Sequence, residues 1–261
     1  MEKHQLYNGS VELVFDPAKH LYTVEGKKVD GVTGILGVIG KGFLVPWAAK
    51  MTADAMRTLL KPGVAYTDIQ IEQMCEEAKG AHKKKSANAA DIGHLVHSWI
   101  ENYIADGGKE KELPANQEAK NAVTKFLQWV SENHVEFILS EKKVYSREYN
   151  FAGTLDFTAK VNGKLVLGDI KTSNGIYDDM FFQCSAYQKA RQEEHPEEKY
   201  EEQLIVNCRK DGTLETRSST DFEKNWKAFA AAHTLFHRQN EMKQEDWERK
   251  QKEGNYGSKS T

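Results

Sequence analysis

Between Phe137 and Ser173 the chain reads FILSEKKVYSREYNFAGTLDFTAKVNGKLVLGDIKTS, with β-branched and aromatic residues recurring in steps of two. That alternation marks strands with one buried face, because successive side chains point to opposite sides of a sheet. Asn162-Gly163 interrupts the pattern once. Asn-Gly between two such runs favours a two-residue type I′ turn, whose positive φ angles suit the twist of a hairpin. Three strands are therefore expected, over about 136–147, 153–161 and 164–171, with a further turn at Tyr149–Gly153.

Around this stretch the apolar period changes. Val11–Phe15, LYTVEG from Leu21 and Lys27–Val29 read as short strands, and Thr33–Leu36 leads into a helix. Pro46-Trp47 opens a helical stretch to about Leu60, which Lys61-Pro62-Gly63 breaks. Thr67 to about Ile104 reads mostly as helix, with Ile92, Leu95, Val96, Trp99, Ile100 and Tyr103 as its apolar stripe. Asn116–Asn133 is a second amphipathic helix, with Ala119, Val123, Phe126, Leu127 and Val130 facing inward. Helix Tyr177–Glu193, strands LIVNC and LETRSS about an Asp211-Gly212 turn, and a helix from near Asp221 complete the reading. Strands interleaved with helices give an α/β fold, with a central mixed sheet flanked by helices and an N-terminal β-hairpin and helical elaboration. No repeat or linker divides the chain, so one domain is expected over 1–253. Its parts are a strand/helix lobe (about 11–75), a core (about 76–220) and a C-terminal helix (about 221–253), with a flexible tail over 254–261.

Composition narrows the function. The 261 residues carry a net charge of -3, so a protein that merely coats nucleic acid, which needs a basic excess, is disfavoured. A carboxylate site that gains positive charge from a divalent cation is not. No apolar run has the length of a membrane span, and the N-terminus lacks a basic-then-apolar leader, so a cytoplasmic protein is expected (in the host cell's cytoplasm if phage-encoded). Cys75, Cys184 and Cys208 are dispersed, which argues against disulfide stapling and a cysteine-rich zinc site. Three thiols are too few for a four-cysteine iron–sulfur cluster.

Asp156, Asp169 and Lys171 carry the chemistry. The Asn162-Gly163 turn folds the strand bearing Asp156 back beside the strand ending Asp169-Ile170-Lys171. Residues two apart on a strand share a face, so Asp169 and Lys171 point the same way. Two carboxylates and an ammonium suit Mg²⁺ or Mn²⁺, which take oxygen ligands and complete their shell with water or phosphate. A surface salt bridge is the simpler account of any isolated D-x-K. His97 and Glu101, four apart on a helix with His94 near the same face, would add a nitrogen and a further oxygen, or else form a solvated polar face. Gln183 and Tyr187 are four apart on the helix after the D-x-K strand and would hold a phosphate or position the lysine. Tyr187 alone reads equally as a core aromatic.

In order, His97-x-x-x-Glu101, Gly153-x-Leu155-Asp156, Asp169-Ile170-Lys171-Thr172 and Gln183-x-x-x-Tyr187 resemble the RecB-type branch of the PD-(D/E)XK nucleases. His20-Leu21-Tyr22, Gly31-Val32-Thr33-Gly34-Ile35-Leu36 and Trp47 are similar to the phage exonucleases and mitochondrial genome maintenance exonucleases of that branch. The likeness covers roughly residues 13–210. It implies a restriction-endonuclease-like core and a Mg²⁺- or Mn²⁺-dependent DNA exonuclease of phage or bacterial recombination. The products would carry 5′-phosphate and 3′-hydroxyl ends. The cation would be bound by His97, Asp156, Asp169, the Ile170 backbone carbonyl and Glu101. Lys171 would serve the nucleophilic water, with Gln183 and Tyr187 near the scissile phosphate. Glu141, on the preceding strand, lies within reach, although a solvated strand charge is the simpler account. Lys83, Lys84, Lys85 and Thr172 are candidate DNA contacts, the lysines reading equally well as a solvated charge run; Phe43, Trp47 and Tyr22 are candidate base-stacking groups, with packing of the N-terminal lobe the simpler account. A strand-annealing or recombination partner fits such an enzyme, but no residue specifies one. The alternatives are a structure-specific or restriction-like endonuclease of the same fold and a catalytically silent nuclease-like DNA-binding module.

Overall fold

The computed structural model describes residues 1–109 and 111–257. The chain is α/β, with a mixed nine-stranded sheet flanked by helices. It divides into two compact units. The first comprises Met1–Ile39, Lys125–Arg209 and the chain from Thr213 onward; the second comprises Gly40–Thr124 with Lys210–Gly212. In sequence the second unit lies between two segments of the first. One of its boundaries, between Thr124 and Lys125, falls inside a helix.

The first unit opens with an antiparallel meander: β1 (Glu2–Leu6), β2 (Val11–Asp16), β3 (Leu21–Val24) and β4 (Lys27–Gly31). The expected N-terminal hairpin therefore has four strands. Leu6, Leu13, Phe15, Tyr22 and Val29 form its apolar face with Ala152. Short helix α1 (Val32–Leu36) follows. The chain re-enters this unit in the second half of α5 (Gln117–Glu132), where Phe126 stacks on Phe137 and Trp129 packs against Phe157. Strands β5 (Glu136–Ser146), β6 (Phe151–Val161) and β7 (Lys164–Lys171) fall close to their expected bounds. The β6–β7 turn is Asn162-Gly163, at φ +49° and +84°, as a type I′ hairpin requires. Asp156 lies mid-strand, because β6 begins at Phe151 and the preceding turn closes earlier than expected.

Helix α6 (Asp178–Glu194) covers the sheet, with Phe181, Cys184, Ala186, Tyr187 and Ala190 in the core with Leu155, Leu167 and Ile205. β8 (Glu202–Cys208) runs parallel to β7, and β9 (Leu214–Ser219) antiparallel to β8. Helix α7 (Phe222–Gly257) adds Phe229 and Ala232 to the same core. The tail expected from 254 falls partly in this helix; 258–261 lie outside the described residues.

The second unit holds α2 (Leu44–Leu59), α3 (Asp68–Lys79), α4 (Ala81–Ala105) and the first half of α5. Gly80 separates α3 from α4, splitting the long helical stretch expected from Thr67. The α3 start is fixed by a capping box between Thr67 and Gln70. On α4, Ile92, Val96 and Ile100 are buried, but Leu95, expected in the same stripe, is 49% exposed. Trp99 stacks on Tyr103 and donates its indole N–H to the Glu112 carbonyl. Among the described residues no helix is long and apolar enough to cross a membrane.

Strand β6 positions the candidate site. One edge pairs with β5 along most of its length. The other pairs in parallel with β4 only at Phe151 and Ala152, then with β7 from Phe157 onward. Between them, Gly153, Thr154, Leu155 and Asp156 pair with neither strand. β4 and β7 part around this gap, leaving side chains there to satisfy what a strand would have satisfied.

Candidate functional site

The gap is organised by hydrogen bonds. Asp156 Oδ2 accepts the Ile170 backbone N–H at 2.7 Å, just past the last β6–β7 pair, Phe157↔Gly168. The aspartate thereby replaces a missing ladder bond and has its carboxylate fixed in direction. Tyr22 and Thr154 hydroxyls meet at 2.8 Å at the other end of the gap. Gly153 gives the Tyr187 ring its place, since a Cβ there would lie 2.4 Å from Tyr187 Cε1. Gly168 is covered by Phe157, whose ring tip would be 1.9 Å from such a Cβ.

Asp169 and Lys171 share a face, as their spacing predicts: Lys171 Nζ lies 2.5 Å from Asp169 Oδ2. The Asp169 side chain is only 1% exposed, and neither of its oxygens accepts a hydrogen bond of normal geometry. Oδ2 has the Lys171 ammonium beside it, and Oδ1 has no partner. A buried carboxylate without hydrogen bonds is costly. Burial pushes the Asp169 carboxyl up to about 7, against the pull of Lys171, and the nearby Asp156 charge adds to the rise. Burial works to lower the Lys171 pKa, but Asp169 and Asp156 outweigh it, and the ammonium is held above its ordinary range.

A relay of side chains runs back from the lysine. Lys171 Nζ donates to Gln183 Oε1 at 3.2 Å, and Gln183 Nε2 donates to the Tyr187 hydroxyl at 2.7 Å. One helical turn of α6 supplies both partners. Tyr187 is a buried anchor, 3% exposed, whose own proton burial holds well above the usual phenol range. Its hydroxyl accepts the Gln183 amide hydrogen bond and so orients that side chain. Cys184 is also buried there, and burial pushes its thiol well up, so it presents a neutral wall.

Glu141 also belongs to this geometry. Its carboxylate and that of Asp156 have oxygens within 4.8 Å of each other. Spacing alone gives Glu141 no privileged place, and the signal that finds it is structural: φ is +48° in the middle of β5. Thr172 follows the end of β7, half-buried.

The remaining candidates lie in the second unit. His97 is half-buried on α4; Glu101 and His94 are exposed on the same helix. Lys83, Lys84 and Lys85 are exposed near its start. Because α4 is unbroken from Ala81 to Ala105, Lys85 stands about 18 Å along it from His97. Of the proposed stacking residues, Tyr22 is 2% exposed and stacked on Phe15, a core position that no base reaches. Trp47 meets His82 edge-on, and Phe43 is 47% exposed.

The residues that meet fit a hard divalent cation. Asp169 offers a buried carboxylate whose Oδ1 has no partner, Asp156 an oriented one, and both are oxygen donors of the kind Mg²⁺ and Mn²⁺ take. No protein-family model and no curated protein matches the sequence.

Proposed function

We propose that the chain is a Mg²⁺- or Mn²⁺-dependent deoxyribonuclease of the PD-(D/E)XK type, with a restriction-endonuclease-like core, acting as an exonuclease in DNA processing or recombination. The observation that carries this reading is Asp169: a buried carboxylate whose Oδ1 has no hydrogen-bond partner, ion-paired through Oδ2 to Lys171 and next to the oriented Asp156, at the gap in the β6 edge. A purely structural ion pair gains little from being buried with its acceptor oxygens unsatisfied. A divalent cation bound there would give that carboxylate a partner.

Asp156 and Asp169 would hold the cation, which when bound supplies Lewis acidity and positive charge at the phosphate. The resemblance adds His97, Glu101 and the Ile170 carbonyl as candidate ligands. Lys171 stays an ammonium here, so it acts as a donor that orients the attacking water and a phosphate oxygen. Gln183 fixes the lysine, and Tyr187 fixes Gln183. Water attacks phosphorus in line, the P–O3′ bond breaks, and the products carry 5′-phosphate and 3′-hydroxyl ends. Lys83, Lys84, Lys85 and Thr172 are proposed contacts to the DNA backbone.

The test is cleavage of end-labelled linear DNA beside closed circular DNA, with Mn²⁺, Mg²⁺ or EDTA, for wild type and Lys171→Ala. Metal-dependent loss of the linear substrate alone, absent in the variant, is the expected result. Cutting of the circle would replace the exonuclease by an endonuclease. DNA binding without cutting under either metal would leave a nuclease-like binding module.

A further inference from the structure

We propose that a cavity beside the start of α6 is a subsite for one unstacked base of a DNA strand. This rests on the DNA reading above and deepens it by naming a second point of contact with the substrate.

The cavity measures about 310 Å³, the lower end of the range for small-molecule sites. It lies within the first unit, where α6, β9 and the start of α7 meet, and Asp178, Phe181, Phe182, Arg217, Ser219 and Asn225 line it. Phe182 packs against the core from a half-buried position. Among the described residues its ring has no aromatic partner. A ring so placed can stack on any base, since every base offers a π-face.

The polar groups around it have hydrogen-bonding capacity left over. Ser219 Oγ accepts the Asp221 backbone N–H at 3.2 Å and the Asn225 amide at 3.1 Å, which fills both lone pairs and leaves its own hydrogen to donate. Asn225 gives its other N–H to Gln203 Oε1 at 2.7 Å, and its carbonyl oxygen is left to accept. Arg217 lies over the Phe181 ring at 4.7 Å and donates to Asp178 Oδ1 at 2.8 Å. That carboxylate offsets the guanidinium charge, so the cavity suits an uncharged ring with donors and acceptors on its edge better than it suits a phosphate. A nucleobase is such a ring.

The sheet register links the cavity to the candidate site. Asp169 pairs with Ile205, and Ile205 with Arg217, so the three form one row across β7, β8 and β9 with their side chains on one face. Neighbouring strands lie about 4.8 Å apart, which sets Arg217 about 10 Å from Asp169. A strand whose backbone reaches the site can therefore place a neighbouring base in the cavity.

The experiment is fluorescence anisotropy of the full chain with a labelled single-stranded oligonucleotide in EDTA, so that binding is read without cutting. Oligonucleotides with one abasic position, moved stepwise along the strand, are compared with the intact one. The proteins are wild type and Phe182→Leu, which keeps an apolar side chain against the core and gives up the ring. In wild type one abasic position is expected to weaken binding about fivefold or more. Phe182→Leu is expected to bind the intact strand that much more weakly, with no further loss at that position, because both changes remove one contact. Unchanged affinity at every abasic position overturns the subsite. So does a loss in Phe182→Leu as large as in wild type, or a wild type that binds no strand. Metal-dependent cutting with a flat abasic scan removes the subsite and leaves the nuclease. A position-dependent scan that Phe182→Leu abolishes, without cutting under either metal, leaves the subsite and removes the nuclease.

Discussion

At the scale of single residues, the site is a set of groups held in unfavourable states. Asp169 shows how to detect that without any substrate. Its carboxyl is raised by burial from 3.8 to about 7. In the unfolded chain it ionises first as pH rises, so this group supports folding fully below about pH 4 and progressively less up to about pH 7. The melting temperature of metal-free wild type, measured against Asp169→Asn, should therefore fall across pH 4 to 7. A flat difference would show that Asp169 does not titrate in that window. Tyr187→Phe removes the hydroxyl that holds Gln183. It should cost about 0.5–1.5 kcal/mol of stability and lower kcat on linear DNA while leaving KM nearly unchanged; a change in KM alone would assign Tyr187 to substrate binding. Asp156, Asp169 and Lys171 were legible in the sequence because a period of two and an Asn-Gly turn fix which side chains meet. Nothing in spacing reveals that Tyr187 is sealed in the core or that Glu141 is twisted to positive φ, since both depend on what packs around them.

At the scale of elements, two glycines set the fit around β6. Gly168→Ala would drive a methyl into the Phe157 ring. Overpacking of that kind should lower stability by about 1–3 kcal/mol, read from urea denaturation. Gly153→Ala should do the same through Tyr187 and also loosen Gln183. The Asn162-Gly163 hairpin was readable from two residues because that turn type selects its own sequence. Strand β1, EKHQL, was not. Only Leu6 of its five residues is buried, so it has no alternation to read, and it owes its pairing to β2. The break at Gly80 was hidden for the opposite reason: helical sequence continues on both sides of it.

At the scale of the molecule, the class of fold could be read from strands alternating with helices, but the division into two units could not. Boundaries usually show as polar linkers, and here one of them runs through α5, a continuous amphipathic helix. The sheet bears the mark of that insertion in its narrowest join. The meander β1–β4 meets the rest of the sheet through two paired positions, Asp30↔Phe151 and Gly31↔Ala152. Closing that join spans a long stretch of chain, so it should form late. Pulse-labelled hydrogen exchange during refolding should find the amides of β6 and β7 protected before those of Gly31 and Ala152, and simultaneous protection would contradict this. On a ribosome the delay becomes a length of time. Gly31 leaves the tunnel 120 residues ahead of Phe151, and at roughly 5–20 residues per second the β4 edge waits about 6–24 s for its neighbour. For that interval the newborn chain presents an open strand edge to whatever else is nearby, which makes its N-terminal 31 residues the stretch where a chaperone would have most to shield.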